Sequence, residues 1–318
     1  MKNFILRRIG TAIVMLFAVM TIVFILVHMM PGDPVLQMLG TDTNPDPVAV
    51  ESLRSQLGLD KPILQQYGSW IFGALQGNMG QSYSEKISVM ASIGTRLPRT
   101  LELAFVAMIL ACIIGLPLGV LSAQKRGKIS DLIMTTGASL GTSIPVYVLG
   151  YLFIIVFSLD IFHFGFAMPS SGYTDISKNA GAHFLRLILP ALTLALGIAA
   201  SIMRMTRSSV LEALSSESVR ALRAKGLKEH IVISRHVVRN AFIPVITEIG
   251  LQMGNLIGGT VLCENVFNWP GLSTLLVKSI NARDYPLIEG CVLVMSAIFI
   301  LTNALVDILY GLLDPRVR

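Results

Sequence analysis

Six apolar stretches, each about long enough to cross a lipid bilayer, constrain this chain more than any other feature of its sequence. They run over residues 9–30, 100–122, 132–159, 185–203, 241–263 and 287–312. A helix needs about 20 apolar residues to cross the hydrocarbon core of a bilayer, and it satisfies its backbone hydrogen bonds internally. The sequence therefore predicts an all-α, polytopic membrane protein with about six transmembrane helices in one transmembrane domain over 1–318.

The composition agrees with a lipid environment. Hydrophobic residues make up 53% of the chain and charged residues only 14%, whereas charged residues make up about 25% of a typical soluble domain. The net charge of +6 comes from lysines and arginines beside the apolar stretches. Because these residues do not form a basic patch interleaved with aromatic residues, no nucleic-acid partner is predicted.

The basic residues also indicate the orientation of the chain. If the N-terminus is cytoplasmic, most of the 25 lysines and arginines fall in segments on the cytoplasmic side. Such an excess is typical of cytoplasmic loops, so both termini are predicted to be cytoplasmic. Lys2, Arg7 and Arg8 precede a first apolar stretch that is too long for the core of a signal peptide, and we interpret it as an uncleaved span.

On this topology, 31–99 is a long, scoop-like segment on the outer side. Two short amphipathic helices are predicted within it, from Pro47 to Leu57 and from Pro62 to Leu75, each with a proline at an early position, where helices accept it. The second helix carries the apolar residues Trp70 and Phe72. It either lies at the membrane interface or caps the helix bundle.

The fifth apolar stretch carries a polar stripe. Glu248, Gln252 and Asn255 are spaced i, i+4 and i+7, so they share one face of a helix. A carboxylate near the middle of a bilayer costs a few kcal/mol unless it faces water or a partner. The stripe therefore either lines a translocation pathway or belongs to a buried hydrogen-bonded network.

Glycines at a spacing of four lie on a largely opposite face of the same stretch, at Gly250, Gly254 and Gly258. Small residues at this spacing let the backbones of two membrane helices approach closely. The spacing recurs at Gly115 and Gly119. We expect close helix packing at these positions.

No pattern in the sequence predicts catalysis or metal binding. The histidines do not form H-E-x-x-H, and both the nucleophile pattern G-x-S-x-G and the phosphate-binding pattern G-x-x-x-x-G-K-[ST] are missing. We expect no catalytic residue, no metal site and no cofactor in this chain. A membrane enzyme or a stand-alone carrier is a distant alternative.

The cytoplasmic segment 204–240 is the most distinctive part of the sequence. It carries eight lysines and arginines between Arg204 and Arg239, a helical pattern and a central Gly226. The positive-inside rule accounts for part of this charge. The helical pattern predicts in addition a docking site for a cytoplasmic partner. Since this chain has no nucleotide-binding pattern, that partner is predicted to be a separate motor subunit.

This segment resembles the coupling loop of the membrane subunits of ABC importers. ALRAKG at 221–226 and HVVRNA at 236–241 are similar to the dipeptide, oligopeptide and nickel permease branch, with Arg220 in place of the usual acid. The same branch is resembled by FILRR at 4–8, PGDP at 31–34, LGLDKP at 57–62, MTRSS at 205–209, NWPGL at 268–272, RDYP at 283–286 and DPR at 314–316. The chain is most similar to the first of the two permease subunits, the dipeptide-permease B type.

The resemblance implies a type I ABC importer permease in a bacterial cytoplasmic (inner) membrane. Its implied partners are a second homologous permease, one or two cytoplasmic ATPase subunits that bind ATP and Mg, and an extracytoplasmic binding protein. The implied cargo is a dipeptide or oligopeptide, with nickel or a metal chelate as the alternative. The residues implied to couple to the ATPase are Arg220, Ala221, Leu222, Arg223, Ala224, Lys225, Gly226, His236, Arg239 and Asn240.

Overall fold

The fold is all-α. The computed structural model describes residues 2–39, 46–159 and 167–313, and within these ranges it contains no strand and one isolated β-bridge, between Gln81 and Ser88. In chain order the α-helices are α1 Lys2–His28, α2 Pro34–Leu39, α3 Pro47–Gln56, α4 Ile63–Leu75, α5 Val89–Gln124, α6 Ile129–Ser143, α7 Val146–Phe153, α8 Ala180–Ser215, α9 Glu217–Ala224, α10 Glu229–Ile231, α11 Val238–Val266, α12 Leu272–Asn281 and α13 Tyr285–Leu313. Two π-helical segments, Ile154–Ser158 and Val232–Val237, follow α7 and α10. The DPR motif at 314–316 lies outside the described residues.

Four of the described helices are long and apolar enough to cross a membrane. They are Leu6–His28, Val89–Gln124, Ala180–Ser215 and Tyr285–Ile308. Two further spans arise if each of two bent pairs counts as one, namely Ile129–Ser143 with Val146–Ser158 and Glu229–Leu256 with Gly258–Val266. The predicted class, an all-α polytopic membrane protein, is confirmed, with four to six apolar spans.

The third predicted span is broken rather than straight. α6 and α7 meet at 106°, and the two residues between them, Ile144 and Pro145, have extended backbones with ψ of 123° and 141°. Proline has no backbone N–H and disfavours the helical conformation of the residue before it. α6 therefore ends at Ser143, and Pro145 begins a new helix.

The two short helices predicted in 31–99 are present as α3, Pro47–Gln56, and α4, Ile63–Leu75. Asp46 caps α3 by accepting a hydrogen bond of 3.0 Å from the backbone N–H of Val48. Pro62 stands immediately before α4. Both prolines lie at helix starts, where the lost donor has no intrahelical partner.

The described residues divide into two compact units, which we describe separately. Unit 1 comprises the described parts of Met1–Ile5, Leu101–Trp269 and Leu301–Arg318. Unit 2 comprises the described parts of Leu6–Thr100 and Pro270–Ile300. The prediction of one transmembrane domain over the whole chain stays a prediction.

The core of unit 1 joins α5, α8 and α11. Its buried side chains include Leu103, Leu187, Leu194, Ile202 and Leu256, and Trp269 closes it at the end of α11. The glycines predicted to permit close packing do so between α5 and α8. A Cβ on Gly119 would lie 2.5 Å from Thr206 Cβ and 2.7 Å from the Met203 carbonyl oxygen.

The core of unit 2 joins the apolar faces of α1, α12 and α13 with the first turns of α5. Its buried members include Met20, Ile93, Leu272, Leu287 and Cys291. α4 packs against this core through Trp70, Ile71 and Ala74. The second predicted amphipathic helix thus packs its apolar face on the core of unit 2, to which it belongs.

Several of the sequence motifs prove to be helix ends. Gly58 of LGLDKP, Asn268 of NWPGL and Arg283 of RDYP all have positive φ, at 71°, 48° and 50°. In each case the N–H of the following residue donates to the carbonyl five positions earlier, as in Trp269 N to Glu264 O at 2.8 Å. This Schellman arrangement satisfies carbonyls that the helix leaves without a partner.

Gly119→Val is expected to destabilise unit 1, because the new side chain would overlap Thr206 and the Met203 backbone. Overpacking of this kind costs about 1–3 kcal/mol. The midpoint of thermal unfolding of the purified protein in detergent should fall accordingly. Gly137→Val is the matched control, since no described atom lies within 4 Å of where the Gly137 Cβ would be. Equal losses in the two variants would contradict this packing.

Candidate functional site

The segment predicted to couple to a motor, 204–240, contains the end of α8, the short helices α9 and α10, a π-helical segment and the start of α11. α9, Glu217–Ala224, buries Val219 and partly buries Leu222 in one apolar cluster. Other members come from three long helices, among them Ala123 on α5, Val210 on α8 and Ala241 on α11, and from the π-helical segment. α9 is thus fixed by its apolar edge to the ends of three long helices, and its opposite face is exposed.

Gly226 stands just after the end of this helix. Its φ is +78°, a conformation that costs glycine little and other residues about 1–2 kcal/mol. Gly226 N donates to Arg223 O at 2.9 Å and Leu227 N donates to Leu222 O at 3.4 Å, which is the Schellman pattern. Leu222 and Leu227 both pack on the apolar cluster under α9. The turn therefore reverses the chain without loosening α9.

An ion pair spans this turn. Arg223 donates to Glu229 through Nη2 at 2.6 Å and Nε at 3.1 Å, so the two side chains meet in the bidentate geometry. Hydrogen bonding to Glu229 raises the pKa of Arg223 above its ordinary value. Arg223, one of the residues that the resemblance implies couple to the ATPase, is thus paired within its own chain.

Most of the predicted coupling residues share one property, which is exposure. The exposed ones are Arg220, Ala221, Arg223, Ala224, Lys225, Gly226, Arg239 and Asn240. Leu222 and His236 are partly buried. His236 belongs to the π-helical segment, whose neighbouring residues Val232 and Val237 are buried. The π-helical segment thus anchors the return of the chain into α11.

Arg207, within the segment 204–240, belongs to a charged network that we did not predict. Asp131 on α6 accepts two hydrogen bonds from Arg207 on α8, at 2.9 Å from Nε and 2.8 Å from Nη2. Ser122 on α5 donates to the same carboxylate, and Gly127 N donates to it at 3.1 Å. The network joins three long helices and the loop after α5. The acid at the start of the third apolar stretch was the available sequence signal.

A second unpredicted pair lies at the other end of α8. His183 is buried, with Nδ1 2.7 Å from Thr174 O and Nε2 2.7 Å from Glu102 Oε1. Because a carbonyl oxygen only accepts, Nδ1 carries a hydrogen. One further proton must then lie between Nε2 and the carboxyl oxygen, on either atom. The pair is a partly buried hydrogen-bonded contact, with the rings of Tyr173 and Trp269 packed edge-on to His183.

Two of the three polar side chains in the stripe of α11 bond to each other. Gln252 Nε2 donates to Glu248 Oε1 at 2.7 Å, and both residues are half-buried, whereas Asn255 is exposed. A bonded pair beside an exposed amide fits a polar pathway and also fits a hydrogen-bonded network. The pathway therefore stays a prediction.

Two of the three glycines behind the stripe face the last helix. A Cβ on Gly250 would lie 2.5 Å from Val306, and one on Gly254 would lie 2.8 Å from Asn303 Oδ1. At Gly258, no described residue comes within 4 Å of that position. Close packing is thus seen at Gly250 and Gly254 and not at Gly258.

Two family models match the chain. Residues 115–318 match the model described as "Binding-protein-dependent transport system inner membrane component". Residues 1–104 match the model described as "Binding-prot-dependent transport system membrane comp, N-term". Together they cover nearly the whole sequence.

Individual proteins match over their full length. The chain is 40% identical over 340 residues to the dipeptide transport system permease protein DppB of Escherichia coli (strain K12), covering 100% of this chain and 99% of that protein. It is 40% identical over 318 residues to the glutathione transport system permease protein GsiC of the same strain, with the same coverage.

Solved structures resemble the fold. The inward-facing MetNI methionine ABC transporter matches with a TM-score of 0.56 and 21% identity, over 71% of this chain and 97% of that chain. An amino acid ABC transporter with histidines matches with a TM-score of 0.51 and 16% identity, over 71% and 94%. The predicted fold, that of an ABC importer permease, is confirmed.

Arg207→Gln is expected to lower the midpoint of thermal unfolding, because it leaves Asp131 without its cation in a largely buried place. Asp131→Asn in the Arg207→Gln background removes both charges and should restore part of that stability. A double-mutant cycle on the purified protein in detergent measures the coupling. Arg204→Gln, at an exposed position on the same helix, is the control. Losses that simply add would contradict the network.

Proposed function

This chain belongs to the family of binding-protein-dependent transport system inner membrane components, and from that premise we propose that it forms half of the translocation pathway of an ATP-driven importer of dipeptides or oligopeptides. It is a multi-pass membrane permease, and a permease of this family is a transport subunit. The cargo, the partners and the orientation in the membrane belong to the proposal.

The observation that carries the peptide cargo is the pair of full-length relatives. Both are 40% identical to this chain, and their names assign them dipeptide transport and glutathione transport. Glutathione is itself a small peptide. Nickel or a metal chelate is the alternative cargo that the uptake experiment below addresses.

The partners are a second homologous permease, one or two cytoplasmic ATPase subunits and an extracytoplasmic binding protein. Both termini and α9 then lie on the cytoplasmic side of a bacterial inner membrane. ATP and Mg are bound by the ATPase subunits. The exposed basic residues Arg220 on α9 and Lys225 just after it support docking to an acidic cleft on such a subunit.

The apolar cluster under α9 suggests how coupling works. Because Val219 and Leu222 pack on the ends of α5, α8 and α11, a force on α9 acts on all three helices. ATP binding favours one arrangement of the ATPase dimer and hydrolysis favours the other, so the attached permease shifts its population between two states. The ion pair between Arg223 and Glu229 holds the turn at Gly226 during that shift.

The polar stripe of α11 is part of the proposal. Glu248, Gln252 and Asn255 line the pathway and contact a peptide through its amide and ammonium groups. The exposed side chain of Asn255 and the half-buried Glu248 support this role.

Gly226→Val should lower transport and peptide-stimulated ATPase activity more than it lowers the amount of folded protein in the membrane. Its φ of +78° costs a β-branched residue about 1–2 kcal/mol, and this strain falls on the turn, since no described atom lies within 4 Å of the added Cβ. We expect lower peptide uptake and lower peptide-stimulated ATPase activity, with a normal amount of protein in the membrane. Gly226→Asn is the matched control, because asparagine tolerates this backbone conformation. Equal activity of the two variants would remove the role of the turn.

Deletion of the gene tests the cargo directly. Entry of a labelled dipeptide should fall while entry of labelled nickel is retained, and the wild-type gene should restore the dipeptide. Loss of nickel entry alone would replace the peptide proposal with the metal alternative. In the restored strain, Glu248→Gln should lower dipeptide entry, and unchanged entry would place Glu248 outside the pathway.

A further inference from the structure

Unit 2 contains a cavity of about 310 Å³ that none of the features above uses. Its wall is built from the end of α1, one face of α4, the turns before and after α4, and the first turn of α13. Its wall carries aromatic rings and one carboxyl group, from Phe24, His28, Trp70, Tyr83, Tyr285 and Glu289. All of them belong to unit 2, so the cavity is complete within that unit.

The first unusual feature of the wall is the carboxyl group of Glu289. This residue is 4% exposed, and its Oε1 atom has no hydrogen-bond partner among the described residues. The nearest cationic candidate is His28 Nδ1, at 4.0 Å. That nitrogen lies 2.9 Å from the Phe24 carbonyl oxygen and so donates there instead. A buried carboxyl oxygen without a donor is costly, and a ligand that supplies one would be stabilised.

The second unusual feature is the indole of Trp70. Its Nε1 atom is also buried and has no hydrogen-bond partner within the described part of the chain. Indole nitrogen only donates, so this group requires an acceptor such as a carbonyl oxygen. The same wall therefore holds an acceptor that lacks a donor and a donor that lacks an acceptor.

Aromatic rings connect these two groups. The ring of Phe24 stacks on that of Trp70 with centroids 6.0 Å apart, and the tilted ring of His28 lies 4.0 Å from that of Phe24 and 5.5 Å from that of Tyr285. Faces of aromatic rings attract cations, most strongly where water is excluded. The ring series thus extends from the Trp70 indole to the neighbourhood of Glu289 and favours a positively charged group along its length.

Tyr83 completes the polar surroundings. Burial raises its pKa well above the usual value, and the nearby carboxyls of Glu289 and Asp284 raise it further. The phenol therefore stays uncharged and can still donate a hydrogen bond. Lys61 also lies in the wall, so a ligand that carries both charges has a partner of each sign.

We propose that this cavity binds the N-terminal aminoacyl end of a short peptide, with the ammonium group at Glu289 and the first carbonyl oxygen at the Trp70 indole. An aminoacyl end offers the missing donor and the missing acceptor together, which a simple amine does not. The volume is at the lower end of small-molecule pockets and suits one or two residues. The biological meaning of the site rests on the proposed peptide cargo, but its binding chemistry can be tested alone.

The test is calorimetric titration of the full-length chain in phosphatidylcholine nanodiscs, without any binding protein. The probes are L-Ala-L-Ala, N-acetyl-L-Ala-L-Ala and ethylamine. We expect the free dipeptide to bind, and acetylation to weaken binding at least about tenfold, because it removes the charge that Glu289 attracts. Ethylamine should bind more weakly than the dipeptide. Tight binding of the acetylated peptide, or of ethylamine at the affinity of the dipeptide, overturns the assignment.

Variants locate the binding in the cavity. Glu289→Gln should weaken dipeptide binding about tenfold, and Trp70→Phe, which keeps the ring and removes the donor, about fivefold. Glu51→Gln is the matched control, since Glu51 is an exposed glutamate on α3 of the same unit and does not line the cavity. Wild-type affinity in Trp70→Phe and Glu289→Gln, or equal loss in the control, overturns the proposal. If Glu289→Gln does not fold, Trp70→Phe and the acetylated probe decide the question.

Failure of this site and failure of the proposed cargo are distinguishable. Dipeptide uptake by the assembled importer tests the cargo, whereas titration of the chain alone tests the cavity. Uptake without titratable binding overturns only the site. Binding without uptake retains the site and removes the proposed cargo.

Discussion

Backbone groups at a helix end need hydrogen-bond partners, and the rest of this structure depends on how the chain supplies them. The last carbonyls of a helix have no intrahelical donor. At Gly58, Gly226, Asn268 and Arg283 the chain meets the demand by the same left-handed turn, which bonds back to the final turn of the helix. These turns aim the following residue inward, and Trp269 and Asp284 become buried as a result. Asp284 then accepts hydrogen bonds from Ser82 and Ser84 and so ties α13 to the segment before α5.

The position of α9 illustrates which interactions hold a surface helix. Its ion pair with Glu229 is exposed on both sides, and exposed pairs contribute about 0–1 kcal/mol. The burial of Val219 and Leu222 contributes more, because it removes apolar surface from water. The charged face of α9 therefore contributes little to stability, apart from Arg223, and a partner can bind it without disturbing the fold.

Local patterns predicted much of the fold, and distant contacts could not be predicted. Apolar length predicted the spans and proline positions predicted α3 and α4, because each of these signals lies within a short stretch of the chain. The pairing of Asp131 with Arg207 joins residues 76 positions apart, and that of Glu102 with His183 joins residues 81 apart. No local pattern states which acid meets which base. The 106° bend between α6 and α7 was not predicted either, because a proline predicts a break in a helix but not the angle of that break.

The π-helical segment Val232–Val237 shifts the angular positions of the side chains of α11 relative to those of α10. A π-helical turn holds about one residue more than an α-helical turn, and each residue advances an α-helix by about 100°. Side chains of α11 therefore point about a quarter turn away from where an unbroken wheel starting at α10 would place them. Glu248 and Gly250 can be assigned to helix faces only by counting positions within α11. Deleting a single residue from Val232–Val237 would swing the whole helix about its axis while leaving its sequence untouched.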